Sequence, residues 1–244
     1  MSSDEDKSVR RPVITIDGPV GAGKTTVAEL VSSALGFLFV DTGLFYRAVA
    51  WLMLRRGLDP GDETAAAEVA SGLDLELKRT VPGAVRQMVV INGIEATDEL
   101  YSPEVESAVS IVARSPKVRK ALLPKQRAML RSGGVVVAGR DIGTVIWPEA
   151  ELKAYLDASV AERARRKYDE RVHTDGTADY DEILGLLQKR DRIDSGREVS
   201  PLRIPEGAEY IDTDEMSAEA VAEVIIGSLV RKVRVKPAKS IAFD

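Results

Sequence analysis

The sequence predicts an α/β fold: a five-stranded parallel sheet flanked by helices. Three observations carry this expectation. Short apolar runs recur at wide spacing (Val13–Ile16, Phe37–Val40, Val135–Ala138, Leu152–Leu156), as strands buried on both faces do. Stretches with apolar residues at helical spacing separate them. Polar segments with glycine follow three of the runs: Gly18 to Thr25, Asp41-Thr42-Gly43 and Gly139-Arg140-Asp141. In an open α/β sheet, ligands sit at those carboxyl ends of strands.

The first strand and its loop organise the chain. Val13 to Asp17 is followed by Gly18-Pro19-Val20-Gly21-Ala22-Gly23-Lys24-Thr25-Thr26, which fits G-x-x-x-x-G-K-[ST], the phosphate-cradling P-loop. Glycines let the backbone curl and turn its N–H groups inward, and the helix starting near Lys24 adds its dipole. In such a loop Lys24 reaches the β- and γ-phosphates of ATP and the Thr25 hydroxyl ligates Mg²⁺.

In chain order, Thr25 to Leu35 carries Val27, Leu30, Val31 and Ala34 at helical spacing, and Gly36 ends it. Phe37 to Val40 is a buried strand, and its Asp41-Thr42-Gly43 end both caps the next helix (Leu44 to Arg56, stopping at Gly57) and faces the P-loop, with Tyr46 and Arg47 following. The pattern then changes. Leu73 to Lys78 and Arg86 to Ile91 read as strands, and Asn92-Gly93 before Ile94 is a two-residue hairpin signal. Hairpin strands are antiparallel, so residues 62–113 form an inserted subdomain with a three-stranded sheet, closing with a helix over Pro103 to Val112. Pro116 to Arg131 is a basic helix, most of whose cations belong to a solvated face. Val135 to Ala138, Leu152 to Leu156 and Tyr210 to Asp212 complete the sheet. Ala158 to Arg171 and Tyr180 to Ile193 are helices around a polar turn, His173 to Asp179, and Ser217 to Val230 is the last helix. Residues 11–61 and 114–230 form the core, residues 1–10 a disordered tail, and 231–244 a basic tail without assigned function.

Composition narrows the chemistry. The chain of 244 residues is 44% hydrophobic and 30% charged, which suits a globular domain with an insertion. It has no cysteine, which removes thiol nucleophiles, Cys-ligated zinc and disulfides and fits a reducing cytoplasm. The single histidine, His173, has no G-x-S-x-G elbow to serve and reads as a solvated loop residue. A net charge of −5 gives no basic footprint for a nucleic-acid polymer. No apolar run has membrane-spanning length, and no signal-peptide core is present. Guanine-reading switches use Asn-Lys-x-Asp, whereas the only asparagine, Asn92, is followed by glycine.

Arginines mark the remaining task. Arg47, Arg140, Arg190 and Arg197 follow strand ends or lie in the arginine-rich C-terminal segment. Phosphoryl transfer is mostly positioning and charge stabilisation, for which planar guanidinium forks are suited. An acceptor that is itself a phosphate is anionic near neutral pH and needs no general base, in keeping with the shortage of histidine.

Four blocks together resemble the bacterial cytidylate kinases: Asp17-Gly18-Pro19-x-Gly21-x-Gly23-Lys24, Asp41-Thr42-Gly43-x-x-Tyr46-Arg47, Gly139-Arg140-Asp141-Ile142-Gly143-Thr144-Val145, and Arg190-Asp191 through Asp194 to Arg197. The similarity spans about Val13 to Val230. It implies a nucleoside monophosphate kinase: a P-loop core, a monophosphate-binding insert over 62–113 and a helical lid over about 158–182. It implies transfer of the ATP γ-phosphate to CMP or dCMP with Mg²⁺, by a monomer. By position, Thr42, Arg47 and Arg140 hold the acceptor phosphate. Ser110, Arg119 and Asp141, with Arg197 near them, read the cytosine. Arg190 and Asp194 meet the ribose and the transferring phosphate, and Arg163 and Arg166 close over the ATP phosphates. Lys24, Arg140, Arg190 and Asp141 form the catalytic set. A carboxylate such as Asp141 suits the cytosine amino group. Many members carry an acidic residue before Gly-Arg-Asp, where this chain has Ala138. Two rival readings are a P-loop kinase of another small acceptor, UMP or a non-nucleotide metabolite, and an ATP-binding sensor without transfer, for which Ala138 is the only feature.

Overall fold

The computed structural model describes residues 11–78 and 87–233. The expected N-terminal tail, the start of a strand at Arg86 and most of the basic C-terminal tail lie outside the described residues.

The sheet has five parallel strands in the order β2-β6-β1-β7-β8: β1 (Val13–Asp17), β2 (Leu38–Asp41), β6 (Val135–Gly139), β7 (Leu152–Asp157) and β8 (Glu209–Asp212). Strand β6 slots between β2 and β1, with Asp17 in register with Gly139 and Asp41 with Ala138. The chain then continues on the far side of β1, through β7 and β8. That change of direction opens a crevice above β1 and β6, the place where such sheets bind ligands.

Both faces of the sheet are covered, and the apolar runs show why. Val135 and Val137 of β6 face one cluster, and Val136 and Ala138 face the other. The first cluster is closed by α2 (Gly43–Arg55), α3 (Glu63–Ser71), α4 (Pro103–Arg114) and α5 (Pro116–Leu130). The second is closed by α1 (Lys24–Leu35) and α8 (Ala218–Val233). A third, small cluster of Ala164, Ile183 and Leu187 joins α6 (Val160–Asp175) to α7 (Tyr180–Ser195).

The inserted segment holds the expected antiparallel sheet: β3 (Leu75–Leu77), β4 (Val89–Ile91) and β5 (Ile94–Glu95). Its hairpin turn has Asn92 at φ 49° and Gly93 at φ 80°, the mirror-image turn that Asn-Gly favours. Its apolar face does not stand apart. Val89, Ile91 and Leu100 are buried in the same cluster as Val49 and Val135.

Several boundaries differ from the sequence reading. Strand β3 is shorter than Leu73 to Lys78. Helix α3 was not expected; its amino end is capped by Asp62, whose carboxylate accepts from Thr64 and Ala65 N–H. Helix α6 continues through His173 to Asp175 and ends at Gly176 in the left-handed conformation. The polar turn is therefore shorter than His173 to Asp179, and His173 is an exposed residue of a helix's last turn. Helix α8 runs past Val230 to Val233.

Candidate active site

The P-loop leaves β1 and enters α1 at Lys24, so the unpaired N–H groups of the first helical turn point into the crevice. Gly18 has φ 151°, and a Cβ there would lie 2.0 Å from the carbonyl oxygen of Leu156 on β7. Only glycine lets the loop seat this closely on the neighbouring strand. Lys24 is buried, and its Nζ donates to the Pro19 carbonyl at 2.5 Å, closing the loop on itself. Burial, and then the Arg140 guanidinium, pull its pKa down to about 7. Ala22 is buried beneath the loop, whereas Thr25 and Thr26 are exposed at the mouth.

Two arginines of α6 lie against this loop. Arg163 is buried and makes four hydrogen bonds. It donates to Ala158 O at 2.9 Å, to Val20 O at 3.1 Å, and through two bonds of 3.1 and 2.7 Å to Asp191 of α7. It thus ties the P-loop, α6 and α7 together. Arg166 donates to Glu162 at 2.8 Å and to the hydroxyl and carbonyl of Thr213 after β8, and its Nη1 lies 4.0 Å from where a Gly23 Cβ would be. Asp191 was not among the expected site residues. Its signal is its place next to Arg190, but nothing local shows that its partner is 28 residues away.

The second half of the site is built at the end of β6. The Thr42 hydroxyl, at the start of α2, donates to Ala138 O at 3.0 Å and is buried. A Cβ on Gly139 would lie 2.6 Å from that hydroxyl oxygen. Asp141 accepts from Arg119 of α5 at 3.1 Å, and each of these side chains is 7% exposed. Arg119 also donates to Ala113 O at 2.7 Å and lies over the Tyr46 ring, so its plane is fixed. Of the cations along this helix, Lys117, Lys120 and Arg131 are exposed as expected and Arg119 is drawn inward as its site assignment requires, but Arg127 was not singled out, and its guanidinium donates to the Val145 and Ile146 carbonyls.

Arg140 donates to Asp194 at 3.0 Å, and Arg197 pairs with the other oxygen of the same carboxylate. Burial opposes charge on Asp194, but Arg140, Arg197 and Arg190 outweigh it and hold its pKa low. Burial and Arg140 lower the pKa of Arg190, and burial lowers that of Arg197. Three guanidinium groups thus share one carboxylate, and Lys24 feels both Arg140 and Asp194. Nε of Arg190 and Nε and Nη1 of Arg197 are buried without a protein acceptor. Buried donors of this kind call for an acceptor, and an anion supplies it.

Two expected residues sit at the margin. Arg47 donates to Leu100 O at 3.0 Å and to Glu106 of α4 at 2.5 Å, and Glu106 also interacts with Arg190. Ser110 is half-buried on α4 and makes none of these bonds.

Asp17 is the residue that the sequence reading quoted without a role. Its carboxylate is buried and accepts from Ile142 and Gly143 N–H, both at 2.7 Å. Burial pushes its pKa up to about 7, against the pull of those two amides.

The donor set bears on magnesium. Among the described residues no three His, Cys, Asp or Glu side chains form a cluster able to hold a metal alone. Mg²⁺ is commonly held by one or two protein oxygens plus substrate phosphates and water, and the exposed Thr25 hydroxyl at the P-loop mouth fits that mode. No helix among the described residues is long and apolar enough to cross a membrane.

A P-loop that opens a helix, facing a group of guanidinium side chains at the end of the neighbouring strand, is the arrangement of a P-loop phosphotransferase. Comparison with known proteins narrows the class. The cytidylate kinase family model matches residues 14–231, and the chain belongs to that family. It is 46% identical over 215 residues to a cytidylate kinase of Pelotomaculum thermopropionicum, covering 88% of this chain and 94% of that protein. It is 41% identical over 221 residues to the cytidylate kinase of Bacillus subtilis, covering 91% and 97%. Among solved structures, an uncharacterized protein from Eubacterium ventriosum aligns with a TM-score of 0.50 at 11% identity, covering 91% of this chain and 99% of that one, a likeness of fold alone.

Proposed function

We infer that this protein transfers the γ-phosphoryl group of ATP to CMP and dCMP, giving ADP and CDP or dCDP. The observation that carries the reading is the convergence of Lys24, Arg140, Arg190 and Arg197 on one crevice, with buried donors of Arg190 and Arg197 unpaired. Membership of the cytidylate kinase family supports the cytosine nucleotide as acceptor.

The P-loop amides and Lys24 hold the β- and γ-phosphates, with Arg163 and Arg166 on the lid side of the ATP. Arg163 acts through the backbone it grips, since its donors are engaged. The Thr25 hydroxyl would hold Mg²⁺, which would supply neutralisation of the phosphate charge. Thr42, Arg47 and Arg140 hold the acceptor phosphate. A phosphate oxygen of CMP forms the new bond to the γ-phosphorus as the bond to the β–γ bridging oxygen breaks, and ADP leaves with that electron pair. The acceptor oxygen is already anionic, so no side chain has to remove a proton. Arg140 and Arg190 stabilise the charge on the transferring group. Asp141 accepts from the cytosine amino group while Arg119 and Ser110 serve the ring carbonyl and N3, with Arg197 near them. Asp194 orients Arg140 and Arg197 and meets the ribose. The protein works as a cytoplasmic monomer.

The test is ADP release with ATP, Mg²⁺ and CMP, dCMP, UMP, AMP or GMP in turn. Rates with CMP and dCMP well above the others are expected, and Asp141→Ala should erase that preference. A higher rate with UMP would move the acceptor assignment, and ATP binding without turnover on any monophosphate would overturn the kinase reading.

A further inference from the structure

The segment that carries Arg140 and Asp141 leaves the sheet after Gly139 and runs into a turn whose Ile142, Ile146 and Trp147 are buried in the first cluster. Residues 142–146 form a single wide helical turn whose bonds reach back five residues, from Ile146 N–H to Asp141 O at 3.1 Å and from Trp147 N–H to Ile142 O at 2.7 Å. A turn of this kind has no further turns to stabilise it and is characteristic of functional sites.

Two side chains grip its ends. At the amino end, Asp17 takes one amide on each carboxylate oxygen, Ile142 N–H and Gly143 N–H, both at 2.7 Å. At the carboxyl end, Arg127 of α5 donates from Nε to Ile146 O and from Nη2 to Val145 O, both at 2.9 Å. Pro205 and Thr15 wall the turn, their atoms lying 2.8 and 3.1 Å from where a Gly143 Cβ would be. Neither grip is needed to build the sheet, because β1 and β6 are already paired through to Asp17 and Gly139. Neither side chain hydrogen-bonds to the P-loop, which closes through the Lys24–Pro19 bond. What the grips fix is the path between Gly139 and Ile142, the two residues Arg140 and Asp141.

We propose that Asp17 and Arg127 are positioning residues for the acceptor nucleotide: they clamp opposite ends of the 142–146 turn and so set Arg140 and Asp141 against the bound monophosphate. This rests on the acceptor-side reading given above. Carboxylate chemistry suits the task at position 17, since two convergent N–H donors need two acceptor oxygens. Asparagine would answer one amide with an acceptor and face the other with a donor. The guanidinium at position 127 likewise serves two carbonyls from one plane, which an ammonium cannot copy fully.

Wild-type turnover with CMP is measured first, so that failure of the acceptor reading is visible before any variant is made. Steady-state kinetics with CMP and ATP varied separately are then run on Asp17→Asn, Arg127→Gln and Arg127→Lys, with melting temperatures alongside. A rise in KM for CMP of about tenfold in Asp17→Asn and Arg127→Gln is expected, with KM for ATP within about twofold and partial recovery in Arg127→Lys. A purely structural role would lower the melting temperature or the active fraction and leave both KM values alone, which would overturn the proposal. Equal rises in both KM values would overturn it as well. Should Asp17→Asn fail to fold, Arg127→Gln, at a half-buried position, decides by the same criteria.

Discussion

At the residue scale, Asp17 combines a structural grip with an unusual proton affinity. Burial raises its pKa from 3.8 to about 7, even though two amides and Lys24 favour the charged form. The sign of the stability effect follows from linkage. Between those two values the folded protein holds the proton while the unfolded chain has released it. The stabilising contribution of the group is therefore complete below the unfolded value and is lost as pH rises through the folded one. Other carboxylates, such as Asp194 with its lowered pKa, act in the opposite sense, so the effect has to be isolated by difference. Relative to Asp17→Asn, the wild type should lose stability between about pH 4 and pH 7 and then level off. Urea midpoints of the two proteins across that range measure it, and a constant difference would show that the pKa of Asp17 is not raised.

At the element scale, α6 and α7 differ from the rest of the molecule. Among the described residues their shared cluster buries just Ala164, Ile183 and Leu187, with a Tyr168–Tyr180 edge contact beside it. The sheet, by contrast, is covered by two large apolar layers. Elements with few buried apolar contacts open at low cost. Beyond the P-loop Val20, which packs against this cluster, what holds the pair to the core is polar, chiefly Arg163 bridging Val20 O and Asp191. A hinged lid over the phosphates would keep water from the transferring group. Amide exchange in α6, α7 and the turn between them should slow markedly on adding a bisubstrate analogue, while exchange in β1 and β6 changes little. Equal protection with and without the analogue would count against a lid. The same elements show what a sequence makes legible. The P-loop, the Asn-Gly hairpin and the Gly-Arg-Asp strand end are local patterns whose backbone chemistry is written in adjacent residues. Helix α3 escaped because Glu63 to Ser71 is short and alanine-rich and offers little apolar contrast, leaving only Asp62 as a cap signal. The grips of Asp17 on Ile142 and of Arg163 on Val20 span 125 and 143 residues, and no local pattern announces a contact at that range. Arg127 looked like one more cation on a solvated helix face, because periodicity does not distinguish a side chain that reaches a carbonyl from one that reaches water.

At the scale of the whole molecule, a net charge of −5 hides a crevice in which cations are crowded together. Lys24, Arg140, Arg190 and Arg197 converge there, and Asp194 is shared among the three arginines. Their mutual repulsion is written in the lowered pKa values of Lys24 and Arg190, in each of which Arg140 follows burial as a cause. An anion that binds only the folded crevice relieves that repulsion and stabilises the fold by mass action, about 1.4 kcal/mol at ten times its dissociation constant. For a domain of this size that is a rise of roughly 3–5 °C in Tm. Sulfate also stabilises proteins in general by exclusion from their surface, so a rise in wild-type Tm alone proves nothing. Arg190→Gln separates the two effects. It removes one cation with buried, unpaired Nε but leaves Asp194 paired to Arg140 and Arg197, so the variant should fold. With sulfate and chloride compared at matched ionic strength, the wild type should gain the full increment and Arg190→Gln only the small general part. Equal gains in the two proteins would mean that the guanidinium cluster does not act as an anion site, and that its charges are balanced within the protein.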